Sequence, residues 1–157
     1  MKKLLFSIAL FSILLIAACT SGAAYEALVF NLDDWEDSIV DIGEDFFATQ
    51  IMDILNSSGE YLDRIIRYEG ILWRVYWSPT GHYHYYVIRF TEGCCGGYYS
   101  SIGFELYFDG VMPIPDGAWV EVAGFFEPAT ESSIQHVRLR VVSIVELEER
   151  GTEFVSN

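Results

Sequence analysis

From Asp63 onward the chain is a succession of short runs rich in β-branched and aromatic residues, cut by clusters of Gly, Pro, Asp and Ser. Such runs fit a pleated, half-buried surface and such clusters fit turns, so this region is restricted to an all-β fold. Strands are expected over residues 64–77, 83–90, 103–108, 119–127 and 134–147. The breaks fall at Ser78-Pro79-Thr80-Gly81, the Cys-Cys-Gly-Gly segment, residues 113–117 and residues 128–133. The first run is long for a strand and carries Gly70 at its middle, where a residue without a side chain lets the chain bend and pair on both sides. A long, bent first strand in a set of five predicts a small OB-like barrel. Closure also removes the exposed edges that five aromatic strands otherwise leave. An open sheet or sandwich is the competing architecture.

One helix is expected before the strands, over residues 44–55, because Phe47, Ile51, Ile54 and Leu55 recur at helical spacing. Asp41 reads as its N-cap and Glu44 as the capping-box partner. Asn56-Ser57-Ser58-Gly59 ends it, with no second helix after it. Residues 20–63 hold eleven acidic side chains and neither Lys nor Arg. The first half of this stretch reads as an acidic tether, in which Tyr25, Leu28, Val29, Phe30, Trp35 and Ile39 are able to dock. Asp33, Asp34 and Asp37 are the right chemistry for a hard cation, but no glycine-containing ligand loop follows them.

The amino terminus reads as an address. Met1-Lys2-Lys3 is followed by a short apolar stretch to Ile16, less than the roughly 20 residues a spanning helix needs. It ends in Ile16-Ala17-Ala18-Cys19, which resembles the lipobox of bacterial lipoproteins. That resemblance implies cleavage before Cys19 and acylation of its thiol, leaving the chain lipid-anchored on the extracytoplasmic side of a bacterial cell membrane. The expected organisation is therefore a signal peptide over residues 1–18, an acidic tether over 19–42, a helix plus OB-like domain over 43–149 and a tail over 150–157.

The 157 residues are 52% hydrophobic, enough for one domain with its own core. The net charge is −14, and both lysines lie in the signal peptide. Nucleic-acid binding needs clustered cations facing phosphates, so that class of partner is excluded.

Cys94 and Cys95 stand together among Gly93, Gly96 and Gly97. Three readings stay open. A vicinal disulfide is strained, because adjacent α-carbons lie about 3.8 Å apart, below the usual ~4.4 Å minimum. A metal such as zinc or copper(I) suits thiolates but needs further ligands. A structural pair of small apolar side chains is the third. His82 and His84 fall on one face of a strand and read as part of a solvent-facing aromatic rim, with His136 on the surface. Arg89, isolated among apolar residues, reads as a structural arginine paired with Glu69, Glu105 or Glu121, or else as an anchor for an anion. The chain has no Gly-x-Ser-x-Gly, His-Glu-x-x-His or phosphate-loop pattern.

Phe46-Phe47-Ala48-Thr49-Gln50-Ile51, Tyr68-Glu69-Gly70, Val87-Ile88-Arg89-Phe90, Gly93-Cys94-Cys95-Gly96 and Trp119-Val120-Glu121-Val122-Ala123-Gly124 resemble a family of uncharacterised bacterial envelope lipoproteins with a Cys-Cys motif. They are similar, more distantly, to the OB-like subunit that accompanies a bacterial permease. The resemblance covers residues 41–146 and implies an OB-like fold with a connection to transport, including transport of metals. Where the permease-associated pattern has an acidic residue soon after the cysteines, this chain has Gly96-Gly97-Tyr98-Tyr99, which weakens a metal role at that point.

The expectation is a non-enzymatic binding or accessory module. The lipid bilayer is its partner through Cys19, and a membrane transporter or envelope protein through an aromatic face. Arg89, Trp77, Tyr83, Tyr85 and Tyr98 are the candidate contacts, from a wider aromatic set that includes Tyr61, Tyr68, Trp73 and Tyr76. The alternative is a metal-handling or thiol-redox protein using the Cys94–Cys95 loop.

Overall fold

The computed structural model describes residues 32–92, 99–131 and 134–156. A 3₁₀ helix, Leu32–Ser38, leads into β1 (Ile39–Asp41), followed by α1 (Phe47–Asn56) and a single turn, α2 (Ser58–Tyr61). The strands β2 (Ile65–Trp77), β3 (His82–Glu92), β4 (Tyr99–Tyr107), β5 (Trp119–Glu131) and β6 (Ile134–Glu146) come next, and β7 (Phe154–Val155) ends the order.

β2 to β6 close into a five-stranded barrel. β2 pairs antiparallel with β5 over Ile65–Ile71 and with β3 over Ile71–Trp77, so one strand serves two neighbours in succession. β3 pairs antiparallel with β4, β4 pairs parallel with β6, and β6 returns antiparallel to β5. This is the OB-like order expected from the five runs. Gly70 sits at the switch: a Cβ there would lie 2.8 Å from the Ile88 carbonyl oxygen and 2.9 Å from Val87 Cγ1. Only a residue without a side chain lets the two strands approach so closely.

Alternation decides what lies inside. Ile66, Tyr68 and Leu72 of β2, Val87 of β3, Phe104 and Leu106 of β4, Val120, Val122 and Phe126 of β5, and Leu139 of β6 form the core. α1 adds Phe47, Ala48, Ile51 and Ile54 from its apolar stripe. Each fully buried Val, Leu, Ile or Phe among them contributes about 1.5–3 kcal/mol by leaving water. Aromatic rings run through the interior, Phe47 on Tyr68 (5.8 Å), Tyr68 on Phe104 (5.9 Å) and Phe104 on Phe126 (5.5 Å). The Tyr68 hydroxyl donates to the Val87 carbonyl at 2.8 Å and accepts from the Phe104 N–H at 3.1 Å. Burial drives its pKa well above the ordinary tyrosine range.

Several local expectations are corrected. The helix begins at Phe47 without a side-chain cap, and its N-cap is Phe46 in the left-handed region. Asp41 instead lies in β1 and receives Arg67 Nε and Nη2 at 2.5 and 2.9 Å, while Glu44 is drawn to Arg89. A second helix follows after all, the short α2. Residues 128–131 continue β5 instead of breaking it. Beyond Phe125 that strand pairs only with β6, and an edge position tolerates Pro128. β1 pairs in parallel with the start of β2 and β7 with the end of β3, so residues from both flanks add strands to the barrel wall.

Candidate functional site

The outer face of the barrel, away from the core, carries a group of polar and aromatic side chains on adjacent strands. His84 alternates with Tyr85 and Val87, Glu105 lies between Phe104 and Leu106, and His136 and Arg138 flank Val137. The register places Glu105 opposite Tyr86 on one side and level with Arg138 on the other. His84 and His136 therefore reach it diagonally, a separation that long side chains bridge. His84 Nδ1 lies 2.6 Å from Glu105 Oε1, and His136 Nε2 lies 3.1 Å from Glu105 Oε2. All three are largely withdrawn from solvent, with side-chain exposures of 16%, 28% and 17% for His84, His136 and Glu105.

This row divides two clefts. One, about 490 Å³, is walled by Trp77, Pro79, Tyr86, Phe104 and Val137. The other, about 430 Å³, is walled by Thr80, Tyr83, Tyr85, Tyr107 and Arg138. Both are in the range of small-molecule sites. The turn between β2 and β3 places the aromatic rim: Gly81, at φ 73°, and Thr80 both return their N–H to the Trp77 carbonyl. Trp77 then meets the His84 ring edge-on at 6.5 Å, and Tyr76 meets Tyr83 at 5.3 Å. On the far side, Glu127 holds Arg138 (Nε to Oε1, 2.9 Å) and Arg140 (Nε to Oε2, 2.7 Å), and Arg138 lies 3.8 Å over the Tyr107 ring. Burial alone would raise the Glu127 pKa, but the hydrogen bonds from Arg140 and Arg138 outweigh it and hold the carboxyl below its ordinary range.

The sequence candidates separate. Trp77 and Tyr83 are half exposed and stand at the clefts, and Tyr85 lines one of them while packing on Phe108. Arg89 lies elsewhere, 1% exposed, with Nε donating to the Glu69 carbonyl at 2.8 Å. Its Nη1 stands 2.8 Å from Glu44 Oε1, an ion pair whose N–H is not aligned on the oxygen, so the contact acts through charge. The guanidinium is sandwiched between the rings of Phe47 (4.4 Å) and Trp119 (5.1 Å). Of the expected partners, Glu69 contributes its backbone, since its carboxylate accepts from Trp119 Nε1 at 3.0 Å. Glu105 belongs to the histidines. In the wider set, Tyr68 is core, Tyr61 is half buried, and Trp73 and Tyr76 are exposed. Cys19, Cys94, Cys95 and Tyr98 lie outside the described residues.

The reading of His82, His84 and His136 as solvent-facing is thus corrected for two of the three; only His82 is exposed. The signal available in the sequence was the lone Glu105 between two core residues. Among the described residues no three His, Cys, Asp or Glu are arranged to hold a metal ion. The histidines converge on the carboxylate itself instead of on a shared point.

Residues 21–155 match the family known as the DUF1980 C-terminal domain. The chain belongs to that family. The DUF1980 domain as matched extends through β7, so it includes β1 and β7 along with the five barrel strands. No curated protein matches the chain.

Proposed function

We propose that this DUF1980 domain is a lipid-anchored, extracytoplasmic binding module, non-enzymatic and accessory to a membrane transporter, that engages its target with the outer face of β3, β4 and β6. The observation that carries this reading is the His84–Glu105–His136 row, framed by two clefts and by the half-exposed rings of Trp77 and Tyr83. A polar row held by the His84–Glu105 hydrogen bond and the close His136–Glu105 contact, beside exposed rings, offers preorganised contacts at low entropic cost. Anchoring rests on Cys19 in its Ile-Ala-Ala-Cys setting, with acyl chains supplying the membrane affinity. The link to transport rests on the resemblance to the permease-associated subunit. The shortage of cations argues for a partner other than nucleic acid.

The test uses the full chain in cells that produce it. A photo-crosslinking side chain at Tyr83 is expected to give a discrete adduct with a membrane transport protein, and one at Glu60 on α2 none. Cys19→Ser is expected to release the chain from the membrane fraction and abolish the adduct. Equal adducts at both positions, or membrane retention of Cys19→Ser, would refute the proposal.

A further inference from the structure

Among the described residues, the larger cleft carries no free charge. The ionisable carboxylate among its described lining residues, Glu105, has one oxygen on His84 and the other on His136, and neither Lys nor Arg is among them. The β6 arginines, Arg138 and Arg140, are held by Glu127. An anion finds no unpaired cation here, and a cation finds no carboxylate oxygen that lacks an imidazole partner. What the cleft does offer is an indole wall, Trp77, 50% exposed and set at 68° to the His84 ring, with a polar row beside it.

We infer that this cleft binds a neutral saccharide, its C–H face against Trp77 and its hydroxyls hydrogen-bonded to the His84–Glu105–His136 row. A pyranose ring is apolar on its faces and carries hydroxyls around its rim. Those hydroxyls donate and accept, as imidazole nitrogens and carboxylate oxygens require of a neutral ligand. A volume of about 490 Å³ accommodates a short oligosaccharide, and the corresponding strands of OB barrels form the face on which oligosaccharides bind. This assignment rests on the reading of the outer face as the binding surface and adds a small-molecule ligand at one of its two clefts, beside the protein partner.

Titration calorimetry on the full chain, in a detergent without a sugar headgroup, tests it with cellotetraose, maltotetraose and chitotetraose. Spermidine and a heparin tetrasaccharide serve as charged counterparts. At least one neutral tetrasaccharide is expected to bind, and neither charged probe. Trp77→Ala and His136→Ala are each expected to weaken binding about tenfold, with the melting temperature of Trp77→Ala unchanged. Binding of a charged probe that depends on Trp77, in place of the neutral sugars, would remove the saccharide assignment and keep the face. Absence of binding by every probe up to about 10 mM, or sugar binding unaffected by both substitutions, would remove the saccharide assignment, whereas loss of the Tyr83 crosslink would remove the face itself.

Discussion

Arg89 Nη1 lies 2.8 Å from Glu44 Oε1, and through that contact the segment before α1 is tied to the strand that closes the barrel. The two ends of the pair are unequal, the Arg89 side chain 2% exposed and that of Glu44 48%. Removing the carboxylate strands a buried cation, whereas removing the guanidinium leaves an acid that water can solvate. Glu44→Ala is therefore expected to cost about 3 kcal/mol, and Arg89→Met less, as read from urea midpoints. The reverse order would mean that the ion pair is incidental to the packing of Phe47 and Trp119 around the arginine.

Gly70 tests barrel closure. Its missing Cβ is what lets β2 meet the Ile88 carbonyl, so Gly70→Ala is expected to destabilise by about 1–3 kcal/mol. Gly59, with open space around it, is the control, and Gly59→Ala is expected to be neutral or slightly stabilising. Thermal unfolding of the two variants decides the matter.

The barrel was legible in the sequence because its determinants are local: five runs, their breaks, and one glycine in a long first strand. The helix cap was not, although Asp41 and Glu44 have the right spacing. Both carboxylates are claimed by arginines far along the chain, Arg67 and Arg89, and local pattern cannot register that competition. The His84–Glu105–His136 row was hidden for a related reason. It exists only once β4 is paired with β3 on one side and β6 on the other, and its contacts are diagonal. Pro128 read as a break because sequence does not reveal that β5 has lost its second neighbour there.

Glu127 makes stability depend on pH. Its folded pKa is depressed, so its contribution is fully present above the ordinary carboxylate pKa of about 4.3 and is lost as the pH falls through the lower folded value. Glu127→Gln is expected to cost at most about 1 kcal/mol at pH 7, since Arg140 is solvent-exposed and the pair is screened, with the gap to the unaltered chain closing in acid. A gap that stays constant from neutral to strongly acidic pH would show that Arg138 and Arg140 do not hold the carboxylate in solution.

Trp77 and Phe47 separate face from core. Trp77 is half exposed, and Trp77→Ala is expected to change stability by less than about 0.5 kcal/mol. Phe47 is fully buried, and Phe47→Ala is expected to cost about 3–5 kcal/mol. A large loss of stability in Trp77→Ala, measured by denaturant unfolding, would return that ring to the core and leave the proposed face without its wall.

The most direct test of the ligand face is a two-dimensional ¹H–¹⁵N spectrum of the indole and imidazole nitrogens, followed as the neutral tetrasaccharides are added. Trp77, His84 and His136 are expected to shift together, while Trp119, whose Nε1 is fixed on Glu69 beside the buried Arg89, stays still. Shifts at Trp119 with unmoved histidines would contradict the account and place binding at the arginine instead.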